Sequence, residues 1–171
     1  PGGFTRLWNL EPDIFVLGKG IASGIPASVM GLSQEVAERA LPLFEKSFVQ
    51  GIGTTLSGNA LAVSALRATL EHVMTESAYD RMLSSAERMV DGMEKILKTA
   101  DLPWPIQRHG SFVTCFNTQE AGEVPWDSEY DAYRYVFYAN RGIFTAEALA
   151  TAIISPEVTL EDIDYHNKVF G

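Results

Sequence analysis

Cysteine is nearly absent. Cys115 is the one thiol in 171 residues, so neither an internal disulfide nor a cysteine-based metal cluster can form. A lone cysteine suits a reducing, cytoplasmic setting. The three histidines, His72, His109 and His166, lie far apart with no ligand spacing, and we expect no metal site. Basic charge is scarce too. Thirteen Lys+Arg against twenty-two Asp+Glu leave a net charge of −9, which lacks the basic footprint of nonspecific nucleic-acid or anionic-membrane binding. A local cationic pocket stays compatible with it. No apolar run approaches the roughly 20 residues of a membrane-spanning helix, and no basic-then-apolar signal segment opens the chain. What is present, 46% apolar and 20% charged residues, excludes a wholly disordered chain. The length suits one ordinary domain or pieces of two. The opening Pro1-Gly2-Gly3 is turn chemistry without an initiating methionine, and we expect part of a longer protein.

Residues 1–12 read as loop. Residues 13–17 (Asp-Ile-Phe-Val-Leu) are a short apolar run expected to form a buried strand, and 27–32 a second one. A helix is expected over 33–41, with Ser33 as cap and Pro42 ending or kinking it. After an irregular stretch over 47–59, a helix should bury Val63, Leu66, Leu70, Val73 and Met74. The clearest period in the chain follows: Tyr79, Met82, Leu83, Ala86, Met89, Val90, Met93, Ile96 and Leu97 step by three and four. Asp91/Lys95 and Glu94/Lys98 are placed for i,i+4 pairs on its exposed face. Leu102-Pro-Trp-Pro105 breaks this helix. Residues 112–116 read as a strand holding a buried, structural Cys115. Residues 118–131 form an acidic loop, and 129–140 a helix with Tyr130, Tyr133, Val136 and Phe137 inward and Gly142 as its C-terminal cap. Residues 143–144 and 152–154 are short strand candidates. Thr159-Leu-Glu-Asp162 opens a last helix with Leu160, Ile163 and Phe170 on its inner face. Glycine-rich loops between strands and helices thus fill the first 75 residues or so, and the remainder is an α+β unit.

The chemistry centres on Leu17-Gly18-Lys19-Gly20-Ile21-Ala22-Ser23-Gly24. A lysine directly after a strand, among glycines and apolar neighbours, departs from the exposed faces lysines normally occupy. Partial desolvation makes such an amine a usable nucleophile toward carbonyls. The segment alone leaves two readings, a Schiff-base lysine and an ordinary turn lysine, and single-lysine motifs favour the second. A second stretch changes that balance. Gly53-Thr54-Thr55-Leu56-Ser57-Gly58-Asn59 sets hydroxyls before a helix, where free N–H groups attract phosphate. By itself it also reads as a hydroxyl cap. Together, an amine and a phosphate site suit a cofactor carrying an aldehyde and a phosphate, pyridoxal 5′-phosphate.

Four pieces in order carry a resemblance: Glu11-Pro12-Asp13-Ile14 leading to Leu17-Gly18-Lys19; Ser23-Gly24-Ile25-Pro26-Ala27 with Gly31; the block over residues 53–62; and Asn140-Arg141-Gly142-Ile143, Ser155-Pro156 and Glu161-Asp162-Ile163-Asp164. The sequence resembles the class III pyridoxal-phosphate aminotransferases of fold type I. It looks nearest the branch of glutamate-1-semialdehyde aminomutase and the aromatic β-amino-acid aminotransferases. The resemblance implies an α/β fold comprising the C-terminal part of such an enzyme. Residues 1–75 would end the large cofactor-binding domain, and 76–171 would form the small α+β domain.

The resemblance further implies that Lys19 holds pyridoxal phosphate as a Schiff base and then moves the substrate proton. Thr55 would bind the cofactor phosphate in the other subunit of a homodimer, with Thr54 as the neighbouring candidate. Gly18, Gly20 and Gly24 would let backbone approach the ring and phosphate. The implied activity is amino transfer between an amino acid or amine and a keto acid or aldehyde. An intramolecular aminomutase and a non-catalytic module are the alternatives. There are departures. Ala22 and Ser23 replace two of the family's three glycines after the lysine, Ala60 stands where proline is usual, and Thr145-Ala-Glu-Ala-Leu149 follows neither tail form of that branch. Arg141 lies in a matched motif without an assignable partner. The family's ring-nitrogen acid, main phosphate loop and stacking aromatic lie upstream of its lysine, and Asp13 is not that acid. We therefore expect this chain alone to bind cofactor poorly and not to turn over.

Overall fold

The computed structural model describes residues 3–46, 53, 55–116, 129–146 and 151–171. The chain divides into two compact units, Pro1–Glu76 and Ser77–Gly171.

In the first unit a one-turn helix α1 (Gly3–Leu7) stands where the sequence suggested loop. Its Phe4 and Trp8 rings stack with centroids 4.4 Å apart, and Arg6 reaches Glu76 at 3.2 Å. Strand β1 (Ile14–Leu17) pairs antiparallel with β2 (Val29–Leu32), in a register running from Ile14↔Leu32 to Leu17↔Val29. The β1 strand was expected to be buried, yet all four residues are exposed. A two-stranded ribbon has no second layer among the described residues to cover it. Helix α2 (Gln34–Lys46) begins with Ser33 Oγ accepting from Val36 N–H at 3.3 Å. It runs through Pro42 rather than stopping there. The helix buries no residue, so water can serve the carbonyl left unbonded by proline's missing N–H.

Helix α3 (Ala60–Ala68) starts at Asn59, whose Oδ1 accepts from Ala62 N–H at 2.9 Å. The cap is thus an amide rather than the expected hydroxyl. A π-turn follows over Thr69–Val73, closed by Met74 N–H donating to Thr69 C=O at 2.9 Å. The buried positions are Ala62 and Thr69, while Val63, Leu70 and Val73 are exposed. The packed face is therefore one residue out of phase with the expected stripe.

The second unit has the larger core. Helix α4 (Glu76–Thr99) buries Ala86, Met89, Met93 and Leu97 at the expected spacing. These pack with Val113, Cys115, Ile154 and Ile163 in one cluster. The Asp91/Lys95 and Glu94/Lys98 pairs do not close among the described residues; besides Glu76 with Arg6 at its first residue, this helix pairs Arg88 with Asp164 at 2.7 Å. Strands β3 (Ile106–His109), β4 (Phe112–Cys115) and β5 (Thr151–Ile153) form an antiparallel sheet in the order β3-β4-β5. The β3 strand was not foreseen. It is joined to β4 by Gly110-Ser111, with Gly110 at φ +62°, as a two-residue hairpin loop requires.

Helix α5 (Glu129–Ala139) buries Tyr138, whereas Tyr133 and Val136 are exposed. Gly142, at φ +76°, follows its end as expected, and Ile143 N–H returns to Tyr138 C=O at 3.0 Å. Residues 143–144 are not a strand, and Phe144 is exposed. Helix α6 (Leu160–Phe170) opens with the expected capping box. Thr159 Oγ1 accepts from Asp162 N–H, and Asp162 accepts from Thr159 N–H at 2.9 Å, which holds the Asp162 carboxyl below the usual carboxylate range. Ile163 and His166 are its buried residues, and Leu160 is exposed. The expected acidic loop before α5 lies outside the described residues, as do Thr54 and most of the 145–149 tail.

Candidate functional site

Between the paired ends of β1 and β2 the chain makes an excursion over residues 18–28. Gly18 is extended at φ −149°. Lys19 then takes φ +58° and opens a one-turn 3-10 helix, Lys19–Ala22, closed by Ser23 at φ +48° and followed by Gly24 at φ +91°. Left-handed backbone is uncommon for residues with a β-carbon and clusters at functional sites. Here two such residues bracket one turn. Packing holds them: Ile21 is 2% exposed and Ala22 0%. A hydrogen bond of 2.9 Å joins Ser23 Oγ to Thr69 Oγ1 across to the π-turn.

Lys19 lines an open concavity of about 880 Å³, together with Pro26, Leu56, Ser57, Asn59 and Leu66. The strand-end amine and the approach to α3 thus share one hollow, through Leu56, Ser57 and Asn59 and without the expected phosphate residue Thr55. Among the described residues Lys19 is exposed and has no ion-pair partner. The partial desolvation expected for it is therefore not supplied by these residues.

The other predicted site residues fall differently. Gly24 lines the concavity, whereas Gly18 and Gly20 do not. A β-carbon at Gly18 would make an ordinary 3.6 Å contact with Ser28, and one at Gly20 would meet open space. Only Gly24 has a backbone reason to be glycine. Thr55 is exposed in the turn before Asn59 and stands outside the Lys19 concavity. Asn59 already occupies the Ala62 N–H, so a phosphate site here must use other donors. Arg141 lies with its guanidinium carbon 3.5 Å from the Phe137 ring centroid and donates to Phe137 C=O at 3.0 Å. That is an anchoring role at the end of α5. Burial pushes the Cys115 thiol up to about 11, which removes it as a nucleophile at neutral pH. Among the described residues no cluster could hold a metal ion, and no helix is long and apolar enough to cross a membrane.

Sequence reasoning missed the Ser23–Thr69 bond and the Asn59 cap. The replacement of a glycine by Ser23 was the available signal for the first. Asn59 as the residue preceding an apolar helix was the signal for the second.

A lysine in a left-handed turn, at a strand end and beside a hollow against a helix start, is compatible with a class of enzyme that works through a lysine amine. Comparison with known proteins makes the class specific. The aminotransferase class-III family profile matches residues 4–153, and the chain belongs to that family. It is 32% identical over 99% of its length to a glutamate-1-semialdehyde 2,1-aminomutase of Thermus thermophilus, covering 40% of that protein. It superposes at a TM-score of 0.86 on a glutamate-1-semialdehyde-aminomutase of Pseudomonas aeruginosa solved in complex with PMP, at 34% identity, over 98% of this chain and 40% of that one. An omega-transaminase of Sphaerobacter thermophilus shares the fold at a TM-score of 0.81 and 20% identity, over 99% of this chain and 40% of that one. The fold is thus the α/β fold type I expected from the sequence. The chain spans about 40% of the length of the relatives it matches.

Proposed function

We propose that this chain carries the cofactor lysine of a pyridoxal-phosphate-dependent enzyme that moves an amino group between an amino acid or amine and a keto acid or aldehyde. The observation that carries the reading is Lys19 itself, held in left-handed backbone at a strand end and lining a hollow of about 880 Å³. That volume is in the range of small-molecule and cofactor pockets.

When bound, pyridoxal phosphate supplies an aldehyde that joins amines and a ring that takes up electrons released at the substrate carbon. The amine of Lys19 would hold the cofactor covalently. Its Nζ would be the base that accepts the proton from the substrate carbon and the acid that returns it. Pro26 and Leu66 line the hollow with apolar surface, against which one face of a flat ring can lie. The Thr55 hydroxyl lies outside its own subunit's hollow, which suits a phosphate contact in the second subunit of a homodimer, with Thr54 beside it in sequence. Gly18 and Gly20 flank the lysine in sequence, and Gly24 is the glycine of this segment that lines the hollow. In this reading the unit Pro1–Glu76 ends the large cofactor-binding domain, and Ser77–Gly171 is the small C-terminal domain.

An intramolecular aminomutase is the second reading, favoured by the names of the relatives at 32% and 34% identity. The two part on one measurement: an aminotransferase needs a second substrate for turnover, and an aminomutase does not.

The lysine is tested in the full-length protein with added pyridoxal phosphate. Wild type is expected to show a visible absorbance band, and borohydride reduction to fix the cofactor mass on the peptide containing Lys19. Lys19→Ala should lose both. A band that survives Lys19→Ala, or a label on another residue, overturns the assignment.

A further inference from the structure

The turn that presents Lys19 is only four residues long, and its two ends are set by different forces. Its middle is pinned by burial of Ile21 and Ala22, which is strong but not directional. Its far end, Ser23, has no such burial. It holds φ +48° where glycine would be relaxed. Within the turn its backbone N–H donates to Gly20 C=O at 3.4 Å, and what ties it to the rest of the unit is the shorter 2.9 Å bond from its Oγ to Thr69 Oγ1.

Thr69 is 3% exposed and is the first residue of the π-turn after α3. Its Oγ1 donates to Ala65 C=O at 2.9 Å. A hydroxyl has one proton to give, so with that proton spent on Ala65, Ser23 must be the donor to Thr69. The direction of the chain is fixed: Ser23 O–H to Thr69 O–H to Ala65 C=O. The π-turn, with its Met74 N–H to Thr69 C=O bond, is an irregularity of a kind that recurs at functional sites.

We propose that Thr69, acting through Ser23, is a positioning residue for the Lys19 amine: the two-hydroxyl chain fixes the turn that aims the lysine at the cofactor. Neither hydroxyl residue lines the Lys19 hollow, so the role is orientation rather than contact. The inference rests on the assignment of Lys19 as the cofactor lysine.

The test uses the full-length protein loaded with pyridoxal phosphate, and its readouts need no substrate. They are the pH midpoint of the visible band and the rate at which hydroxylamine strips the cofactor. Thr69→Val keeps the shape and removes both hydrogen bonds. It is expected to move the midpoint by about half a pH unit or more and to speed stripping about tenfold. Thr69→Ser keeps the hydroxyl and should stay within about twofold of wild type on stripping. Ser23→Gly suits the left-handed backbone while removing the donor, so it keeps the question answerable if Thr69→Val folds poorly. It should move both readouts in the direction of Thr69→Val. Combining the two should add nothing to the larger single effect, because they break one chain.

A folded Thr69→Val protein with wild-type midpoint and stripping rate overturns the proposal. So does failure of Thr69→Ser to behave as wild type, or multiplication of the two single effects. Persistence of the visible band in Lys19→Ala is a separate outcome. It would remove the lysine assignment itself, whatever the Thr69 variants do.

Discussion

His166 sits on α6 with 6% of its surface exposed. Its ring stacks with Tyr138 at 5.7 Å and with Phe170 at 6.3 Å. Burial lowers its pKa from the ordinary value of 6.5, against a smaller opposing effect of the Asn167 hydrogen bond. The unfolded chain therefore takes up this proton at a higher pH than the folded one does. The neutral ring's contribution to stability is complete above pH 6.5 and is lost as pH falls below it, through the depressed folded value. The His166→Phe variant keeps the stacked ring and removes the titration. Thermal melts of the wild type should lose more stability between pH 7.5 and pH 5 than those of His166→Phe. Equal slopes for the two proteins would show that the ring is not held neutral. Nothing in the sequence marked this histidine, since its spacing named no ligand set. Its burial is decided by α5 and α6 meeting far along the chain. The turn at Lys19 was legible for the opposite reason: strand, glycine and lysine are contiguous, and the turn they make is local.

At the scale of elements, α4 was the best-read segment because a long two-sided helix writes its period in apolar side chains alone. The misreadings follow from what single residues do between elements. Thr69 starts a π-turn that no apolar pattern announces, and Pro42 is tolerated because α2 buries nothing. The β3 strand was missed because Ile106–His109 carries one apolar residue in four, and its place is set by pairing with β4. Gly92 shows the same limit within α4. Glycine inside a helix costs about 1 kcal/mol relative to alanine, yet here it admits α6. An added β-carbon would lie 2.7 Å from Asn167 Cγ and 3.3 Å from its Cβ. Overpacking of that kind costs about 1–3 kcal/mol. Gly92→Ala should therefore lower the thermal midpoint despite its better helix propensity. Adding Asn167→Ala, which removes Cγ and Nδ2, should recover most of the loss. If Gly92→Ala stabilises the protein, α4 and α6 do not approach as described.

At the scale of the whole molecule, the two units differ in how far they close over their own apolar surface. The second unit buries a continuous cluster from Ala86 to Ile163. The first buries Ile21, Ala22, Ala62 and Thr69, and leaves Ile14, Val16, Leu17 and Met30 of its ribbon exposed, Val16 at 69%. The sequence legibly called for buried strands here, with apolar runs that alternation does not explain. Among the described residues no layer covers β1, and that expectation fails here. In the longer protein proposed above, we expect a covering layer over this ribbon, and each such side chain is worth about 1.5–3 kcal/mol when removed from water. The contrast makes Val16→Lys a sharp probe. In the 171-residue chain by itself, the charge should reduce binding of a hydrophobic dye and self-association, because it breaks an exposed apolar patch on an open strand. In the full-length protein the same substitution should destabilise by about 3 kcal/mol or more, because a charge is then forced under a covering layer. A full-length Val16→Lys protein whose thermal midpoint matches wild type would show that β1 faces solvent there as well, and would remove the covering layer from the proposed architecture.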